Sequence, residues 1–301
     1  MAPFAMLRVT TAEATNFKLR TLAAEALMHQ LALLALLLVL ACRPQERPNR
    51  PPGASDLLSS GTWVDLSHDF SSETIYWPTA KPFTLEVVSA QMTPAGYYYA
   101  ANNFSTSEHG GTHLDAPIHF AEEKHTADQV PLDRLVGPGV VVDVAARADA
   151  DADYRLDAAA LEEWERSHGR IPDRTIVLVR TGWSSRWPDK ARYLGTTKPG
   201  PAGVAELHFP GIDSSAARWL SAERQVKAVG IDTPSIDYGQ SKTFDTHRIL
   251  LAQNIPAFEN VANLERLPAV GAFVVALPMK IKGGSGGPLR IVAVVPTRMS
   301  P

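Results

Sequence analysis

The sequence contains almost no cysteine: Cys42 is the single one among 301 residues. One cysteine excludes an intramolecular disulfide and a zinc site built from several thiolates. An excess of positive charge is also absent, because 29 Lys and Arg stand against 32 Asp and Glu. The resulting net charge of −3 offers no basic surface for nucleic acid. No repeat stands out along the chain, which excludes a repeat array.

A membrane-spanning run is lacking as well. The apolar stretch 31–41 has eleven residues, which is too short for a helix to cross a bilayer. Its length and its small final residue are typical of a secretory signal. Residues 39–42 resemble a bacterial lipobox, so we expect Cys42 to be lipidated. Residues 1–42 are therefore predicted to be a leader of an exported protein, periplasmic or lipid-anchored at the outer membrane. The alternative is a buried or frayed helix with an incidental cysteine.

The remaining sequence predicts one folded domain. Residues 43–60 are rich in Pro and Arg and predict an extended, disordered tether. Residues 61–298 predict a single α/β domain with a mixed, strand-rich sheet and two to four helices. Apolar residues make up 45% of the whole chain, which is enough to build a core. The predicted helices are 156–167 and 213–222. The predicted strands are 62–66, 83–90, 96–105, 139–144, 175–179, 226–231, 273–277 and 290–295.

The most informative segment is 109–120, HGGTHLDAPIHF, which holds three of the nine histidines and one carboxylate. In an extended chain alternate side chains share a face, so His109, His113 and Asp115 are predicted to point the same way. Two imidazoles and a carboxylate on one face are typical ligands of a divalent transition metal. Pro117 is predicted to end the strand. His119 then lies at the rim, where it suits proton transfer as well as a fourth ligand.

More distant residues are candidates to complete this site. His247 begins a short predicted helix, and Glu259 lies in an apolar segment where an unpaired carboxylate is expensive to bury. Asp232 and Asp237 follow a buried strand and are candidates to contact the ligands, although Asx turns explain them equally well. The glycine loop 283–287 lacks the helix and the Lys-Ser/Thr pair of a phosphate-binding loop, so a tight connection between strands is predicted.

Aromatic residues cluster before the motif. They are Trp77, Tyr97, Tyr98, Tyr99 and Phe104. A flat pocket for an aromatic substrate is one interpretation. Packing in the core or on a strand face is the interpretation we favour for most of them.

The segment 109–120 resembles the motif of the cyclase family of metal-dependent hydrolases, which includes bacterial kynurenine formamidase and isatin hydrolase. The resemblance runs from about residue 65 to about residue 295. Supporting matches are 76–78, 180–183, 209–212, 230–235 and the segments around His247 and Glu259. The segments around Trp77 and at 239–244 depart from the formamidases, and 239–244 is closer to the isatin hydrolase branch.

This resemblance implies the fold, the ligands and the assembly. The fold would be a swivelling β/β/α domain, assembled as a homodimer. His119 would donate and accept the proton, and Trp77 would contact the substrate. The implied metal ligands are His109, His113, Asp115, His247 and Glu259.

The predicted function is metal-dependent hydrolysis of a C–N amide bond in a small, aromatic molecule. A bound divalent ion lowers the pKa of its water to about 7 and supplies the nucleophile. The substrate would be an isatin-like lactam or an N-formyl aryl amine. Alternatives are a lactone or cyclic-ester hydrolase and a non-catalytic, exported metal-binding lipoprotein. Nitrogen and oxygen ligands admit Zn²⁺, Mn²⁺ or Fe²⁺, as one ion or two.

Overall fold

The structure, a computed structural model, describes Met28 and residues 58–297. The predicted leader, its Cys42 and most of the predicted tether lie outside the described residues. Residues 58–60, the last three of that tether, are helical rather than extended. Within the described residues no helix has the length and apolar character needed to cross a membrane.

The main sheet has eight strands and closes on itself. Its strands are β1 Thr62–Asp65, β4 His113–Asp115, β5 Val136–Asp143, β7 Ile176–Arg180, β9 Ala228–Ile231, β10 Ala257–Glu259, β11 Val270–Pro278 and β12 Gly286–Val295. Their order in the sheet is β1-β12-β11-β5-β7-β9-β10-β4, and β4 also pairs with β12. The central pairs β5–β7, β7–β9 and β9–β10 are parallel, and the remaining pairs are antiparallel. The α/β class and the mixed, strand-rich sheet are thereby confirmed.

Buried strands alternate between two cores. Val141 and Leu178 pack inside the closed sheet, whereas their neighbours Val142 and Val179 pack against a layer of helices. This two-sided burial explains why the central strands are continuously apolar. The α-helices are α1 Leu132–Leu135, α2 Ala145–Ala150, α3 Ala158–His168, α4 Lys190–Leu194, α5 Gly200–Val204, α6 Ser214–Ala222 and α7 Asp245–Ala252.

The helix count differs from the prediction of two to four. Among residues 58–297 only α3, α6 and α7 reach eight residues, and four helical segments of four to six residues were not predicted. Such segments are too short to show an amphipathic period in the sequence. The two predicted helices are correct, and the side chain of Asp157 caps α3 by accepting from the N–H of Ala160 at 2.8 Å.

A separate two-stranded hairpin is formed by β2 (Thr84–Met92) and β3 (Tyr98–Ser105). Most of its residues are exposed on both faces. Val87 is 63% exposed and Tyr98 is 61% exposed. Two further strands, β6 (Arg155–Leu156) and β8 (Gly211–Ile212), make a small parallel pair beside α3 and α6.

Candidate metal centre and active site

Strand β4 places two ligand candidates on one face. His113 and Asp115 are two residues apart and buried, while Leu114 between them packs inside the closed sheet. In the antiparallel pairing of β4 with β10, Glu259 lies directly opposite His113. Residues directly opposite on neighbouring strands share a face. The pairing therefore brings Glu259 to the His113–Asp115 face, although the two segments are far apart in sequence.

His109 does not belong to this strand, so the prediction of one extended run over 109–115 is wrong. Gly111 has a φ of +57°, a left-handed conformation that turns the chain before β4 begins. His109 reaches the site from that turn, with Nδ1 2.6 Å from Oδ1 of Asp115. Gly286 of β12 leaves the room for it, because a Cβ there would lie 2.6 Å from Cε1 of His109. The strand ends at Asp115, just before Pro117, as predicted.

Helix α7 supplies the last imidazole. His247 is buried, and its Nε2 lies 3.0 Å from Oδ2 of Asp115 and 3.2 Å from Oε1 of Glu259. Its Nδ1 lies 2.6 Å from Oδ2 of Asp237. The Asp237 carboxylate also accepts the backbone N–H groups of Thr246 and His247, both at 3.1 Å. Asp237 therefore fixes both the first turn of α7 and the ring that projects from it.

The potential ligands form two groups that share Asp115. One is His109, His113 and Asp115; the other is Asp115, His247 and Glu259. Within each group the ligand atoms all lie within 4.8 Å of one another. Five nitrogen and oxygen donors in so small a volume form a donor set suited to a divalent transition metal.

The hydrogen bonds of the histidines support this fit. Nδ1 of His113 lies 3.0 Å from the carbonyl oxygen of Gly111, which can only accept, so Nδ1 carries the hydrogen. Nε2 of neutral His113 then keeps a free lone pair, and this buried nitrogen lies 3.1 Å from Oδ1 of Asp115 and 3.4 Å from Oε2 of Glu259. By the same reasoning Asp237 accepts from Nδ1 of His247, and the lone pair of Nε2 faces Asp115 and Glu259. Each ring thus directs a ligand nitrogen at the carboxylates.

Electrostatics favour a cation among these carboxylates. Burial opposes protonation of His113, yet the hydrogen bond and charge of Asp115, with the charge of Glu259, raise its pKa to about 9. Burial likewise opposes protonation of His247, and its bonds to Asp115, Asp237 and Glu259 raise its pKa well above the usual value. Burial and the charge of Asp115 raise the pKa of Glu259. Positive charge at this point, carried by protons or by a metal ion, stabilises the two buried carboxylates of Asp115 and Glu259.

His119 lies beside the cluster rather than inside it. It ends a short 3₁₀ helix, Pro117–His119, and its ring stacks on that of His109 with centroids 3.8 Å apart. Burial, reinforced by the neighbouring imidazoles and opposed by Asp115, lowers the pKa of His119 to about 4. The ring is therefore neutral at pH 7. Among residues 58–297 it has no hydrogen-bond partner that would hold it in one role.

A cavity of about 390 Å³ opens onto the cluster. Its volume falls within the range of small-molecule sites. Its lining combines four histidines and Glu259 with an apolar wall. The wall includes Ile75, Tyr76, Trp77, Phe120, Pro234 and Phe244. The half-buried Trp77, whose ring meets Phe209 edge-on at 6.3 Å, thus borders the space in front of the ligand candidates.

The other aromatic residues lie elsewhere. Tyr97, Tyr98 and Tyr99 are 51–61% exposed on the hairpin, and none lines the cavity. Of the favoured interpretation, core packing is therefore wrong for these tyrosines, because Tyr98 and Tyr99 lie on the exposed faces of β3. The flat pocket is wrong for all three. Phe104 stacks on Phe83 at 6.0 Å but remains 54% exposed. An alternating apolar pattern indicates a covered strand without saying what covers it.

Asp232 is a structural residue rather than a ligand contact. Its carboxylate accepts from N and Oγ1 of Thr181 at 2.8 and 2.6 Å and from N of Gly182 at 2.8 Å. Burial raises the pKa of Asp232 to about 6. Asp232 does not line the cavity. It ties the loop after β7 to the loop after β9.

Asn260 was not predicted from the sequence, and only its position beside Glu259 hinted at a role. Its Nδ2 donates to the carbonyl oxygen of Gly111 at 2.7 Å, and its Oδ1 accepts from the hydroxyl of Tyr193 at 2.9 Å. Gly111 is thereby held where it accepts from His113. Asn260 thus anchors the turn that carries His109.

The family model described as "Putative cyclase" matches residues 64–238. The chain belongs to the cyclase family. The match includes the whole segment 109–120 and ends just after Asp237, before α7.

Two curated relatives and a solved structure extend the match. Isatin hydrolase from Roseibium aggregatum is 34% identical over 209 residues, covering 67% of this chain and 77% of that protein. Kynurenine formamidase from Bacillus thuringiensis is 26% identical over 236 residues, covering 78% and 98%. Isatin hydrolase A from Ralstonia solanacearum superimposes with a TM-score of 0.73 at 34% identity, covering 83% of this chain and 100% of that one. The expected family and its fold are thereby confirmed.

Proposed function

We propose that this cyclase-family chain is a metal-dependent hydrolase that cleaves a C–N amide bond of a small aromatic molecule. The observation that carries the proposal is the convergence of three histidines with the carboxylates of Asp115 and Glu259 beside a cavity. Two relatives bear the names of enzymes that hydrolyse such bonds, isatin hydrolase and kynurenine formamidase.

His109, His113, Asp115, His247 and Glu259 would hold the ion, Zn²⁺ or Mn²⁺. When bound, such an ion polarises a carbonyl oxygen and acidifies water. His119 is the proton-transfer residue in this proposal. Because its pKa is about 4, it is a neutral base at pH 7. Once it has taken a proton from the attacking water, it is an acid strong enough to protonate the leaving nitrogen.

The apolar wall selects the substrate in this proposal. Trp77, Phe120 and Phe244 border the cavity with rings, which suits a planar aromatic molecule. An isatin-type lactam is the substrate class we favour, because the isatin hydrolases reach 34% identity, against 26% for the formamidase. Deformylation of an N-formyl aryl amine is the second candidate. A lactone would meet the same residues, and hydrolysis of either class separates this protein from a lipoprotein that only binds metal.

The experiment is hydrolysis of isatin and of N-formylkynurenine, followed by absorbance, with the purified full chain. The protein is stripped with a chelator and reloaded separately with Zn²⁺ and Mn²⁺. We expect turnover of one compound that disappears on stripping and returns on reloading. Turnover that survives complete stripping contradicts the role of the metal, and a fully loaded protein that hydrolyses neither compound contradicts the substrate class.

We propose further that the chain is a homodimer whose contact includes the β2–β3 hairpin. Large apolar side chains are exposed on it, among them Leu85, Val87, Tyr98 and Phe104. A lone hairpin is at best marginally stable in water. A second copy is the partner we favour, since one self-complementary surface can cover its own counterpart in a two-fold pair.

Export and lipidation of Cys42 also remain our proposal, supported by the sequence of residues 31–42. The mass of the mature N-terminal peptide from the producing cell tests it. A diacylated Cys42 at the N-terminus is expected, and an unmodified peptide that continues through residue 42 contradicts it.

A further inference from the structure

The glycine loop between β11 and β12 contacts the metal centre through one side chain. Ser285, half-buried in this loop, places its Oγ 2.9 Å from Nε2 of His109. The same Oγ lies 2.6 Å from Oε2 of Glu108, which also accepts the backbone N–H of Ser285 at 3.0 Å. A continuous chain of hydrogen bonds therefore runs from Glu108 through Ser285 to His109.

The chemistry of these groups fixes the direction of the chain once a cation takes the place of the hydrogen between Nδ1 of His109 and the Asp115 carboxylate. An ionised carboxylate can only accept, and a serine hydroxyl has a single hydrogen. Ser285 therefore donates its hydrogen to Glu108, and its Oγ accepts from Nε2–H of His109. In neutral imidazole the other nitrogen then carries no hydrogen. That nitrogen is Nδ1, which lies 2.6 Å from Oδ1 of Asp115.

His109 depends on this arrangement more than the other two histidines. The side chains of His113 and His247 are only 2% and 4% exposed, and each bonds directly to a group that can only accept. The side chain of His109 is 25% exposed, and two glycines follow it in the chain. Ser285 can reach it reliably because the N–H of Ala116, next to Asp115, donates to the carbonyl oxygen of Ser285 at 2.9 Å.

We infer that Glu108 and Ser285 are a positioning pair for the metal centre. They hold the ring of His109 and accept the hydrogen of its Nε2, so that Nδ1 can give up its own hydrogen and bind a divalent cation. The inference rests on the proposed function, because it assigns His109 as a ligand. It adds two residues to the site that touch neither the substrate nor the ion.

The test is the affinity of the full-length protein for Zn²⁺, measured by competition with a chromophoric chelator. Ser285→Ala and Glu108→Ala are each expected to weaken Zn²⁺ binding about 10–100-fold, the usual effect of removing a group that orients a ligand. Ser285→Thr keeps the hydroxyl and is expected to stay within about threefold of wild type. Ser221→Ala and Glu162→Ala, at surface positions away from the cavity, are the matched controls.

The double variant Glu108→Ala/Ser285→Ala decides whether the pair acts as a unit. We expect it to lose no more affinity than Ser285→Ala alone, because Glu108 acts only through Ser285. Losses that multiply contradict the chain of bonds, and wild-type affinity in Ser285→Ala overturns the inference while leaving the proposed function intact. A wild-type protein that binds no Zn²⁺ or Mn²⁺ overturns both. Unfolding temperatures of metal-free variants show whether a loss comes from misfolding.

Discussion

The metal centre and the β2–β3 hairpin depart from ordinary burial in opposite directions. At the centre, Asp115, His113 and Glu259 are at most 4% exposed, although charged groups belong in water. On the hairpin, Val87 and Tyr98 are more than 60% exposed, although apolar groups belong inside. Buried polar groups and exposed apolar surface are the two informative exceptions to the usual distribution.

Each of the two regions requires a stabilising partner from outside the chain. Buried carboxylates are stabilised by positive charge, which the three surrounding imidazoles supply as protons or as ligands of a metal ion. An exposed apolar hairpin is stabilised by a surface that covers it. The first region therefore points to a cation and the second to a protein partner.

The largest effect is expected from Asp115→Asn, which tests whether the buried carboxylates hold a cation. This substitution keeps the shape of the side chain and removes its charge. Asp115 belongs to both ligand groups. We expect stoichiometric metal binding to be lost and turnover to fall by about 10⁴-fold, because a bound ion contributes several kcal/mol to the reaction. Metal content after dialysis and steady-state rates measure this. Asp173→Ala, which removes an exposed carboxylate paired with Arg170, is the control.

His119→Ala separates proton transfer from metal binding. We expect turnover to fall about 10²–10⁴-fold, the usual effect of removing a general acid or base. Metal content is expected to stay at the wild-type level, because the ring of His119 lies beside the ligand groups and belongs to neither. A variant that loses its metal would make His119 a ligand instead. His208→Ala, at an exposed histidine outside the cavity, is the matched control.

Val87→Asp tests whether a second copy of the chain covers the β2–β3 hairpin. Burying a charge in place of valine is expected to weaken self-association at least about tenfold, since one buried valine contributes about 1.5 kcal/mol or more. Sedimentation velocity over a range of protein concentrations measures this. Leu132→Asp, at a residue of α1 that is 69% exposed, is the control and should leave association unchanged. A wild-type protein that is monomeric at tens of micromolar refutes the dimer.

The smallest expected effect concerns a buried group away from the ligands. His68 stacks on Trp187 with centroids 4.1 Å apart, and burial, partly offset by Asp69, lowers its pKa to about 4. The unfolded chain takes up this proton near pH 6.5 and the folded chain only near pH 4, so stability falls as the pH drops through that window. Between pH 7 and pH 5 the wild type should lose about 1–2 kcal/mol more than His68→Gln. Urea unfolding at both pH values measures the difference; equal losses contradict the assignment.

Local pattern predicted much of the fold and one side of the site. The apolar runs of β5, β7 and β9 and the helical spacing of α3 are short-range features that a sequence displays directly. The motif around His113 and Asp115 is equally local. The turn at Gly111 was missed because a pair of glycines fits a strand with close neighbours as well as a change of direction.

The rest depends on contacts between distant segments. Glu259 meets His113 through the register of β4 on β10, and Ser285 meets His109 through the register of β4 on β12. No local period records such a register. The exposure of Tyr98 was equally hidden, because an alternating strand has the same sequence whether its own core or another molecule covers it.

The closed sheet gives a bound ion a second consequence. Strand β4 has three residues and joins β10 to β12, so it is the seam at which the barrel closes. An ion held by Asp115 and His247 would bridge positions 132 residues apart. Such a bridge restricts the unfolded chain as a long-range cross-link does, which is worth about 5 kcal/mol for loops of this size in the chain-entropy account. In a chain whose single cysteine excludes an internal disulfide, the ion would take the stabilising role that a disulfide has in other proteins.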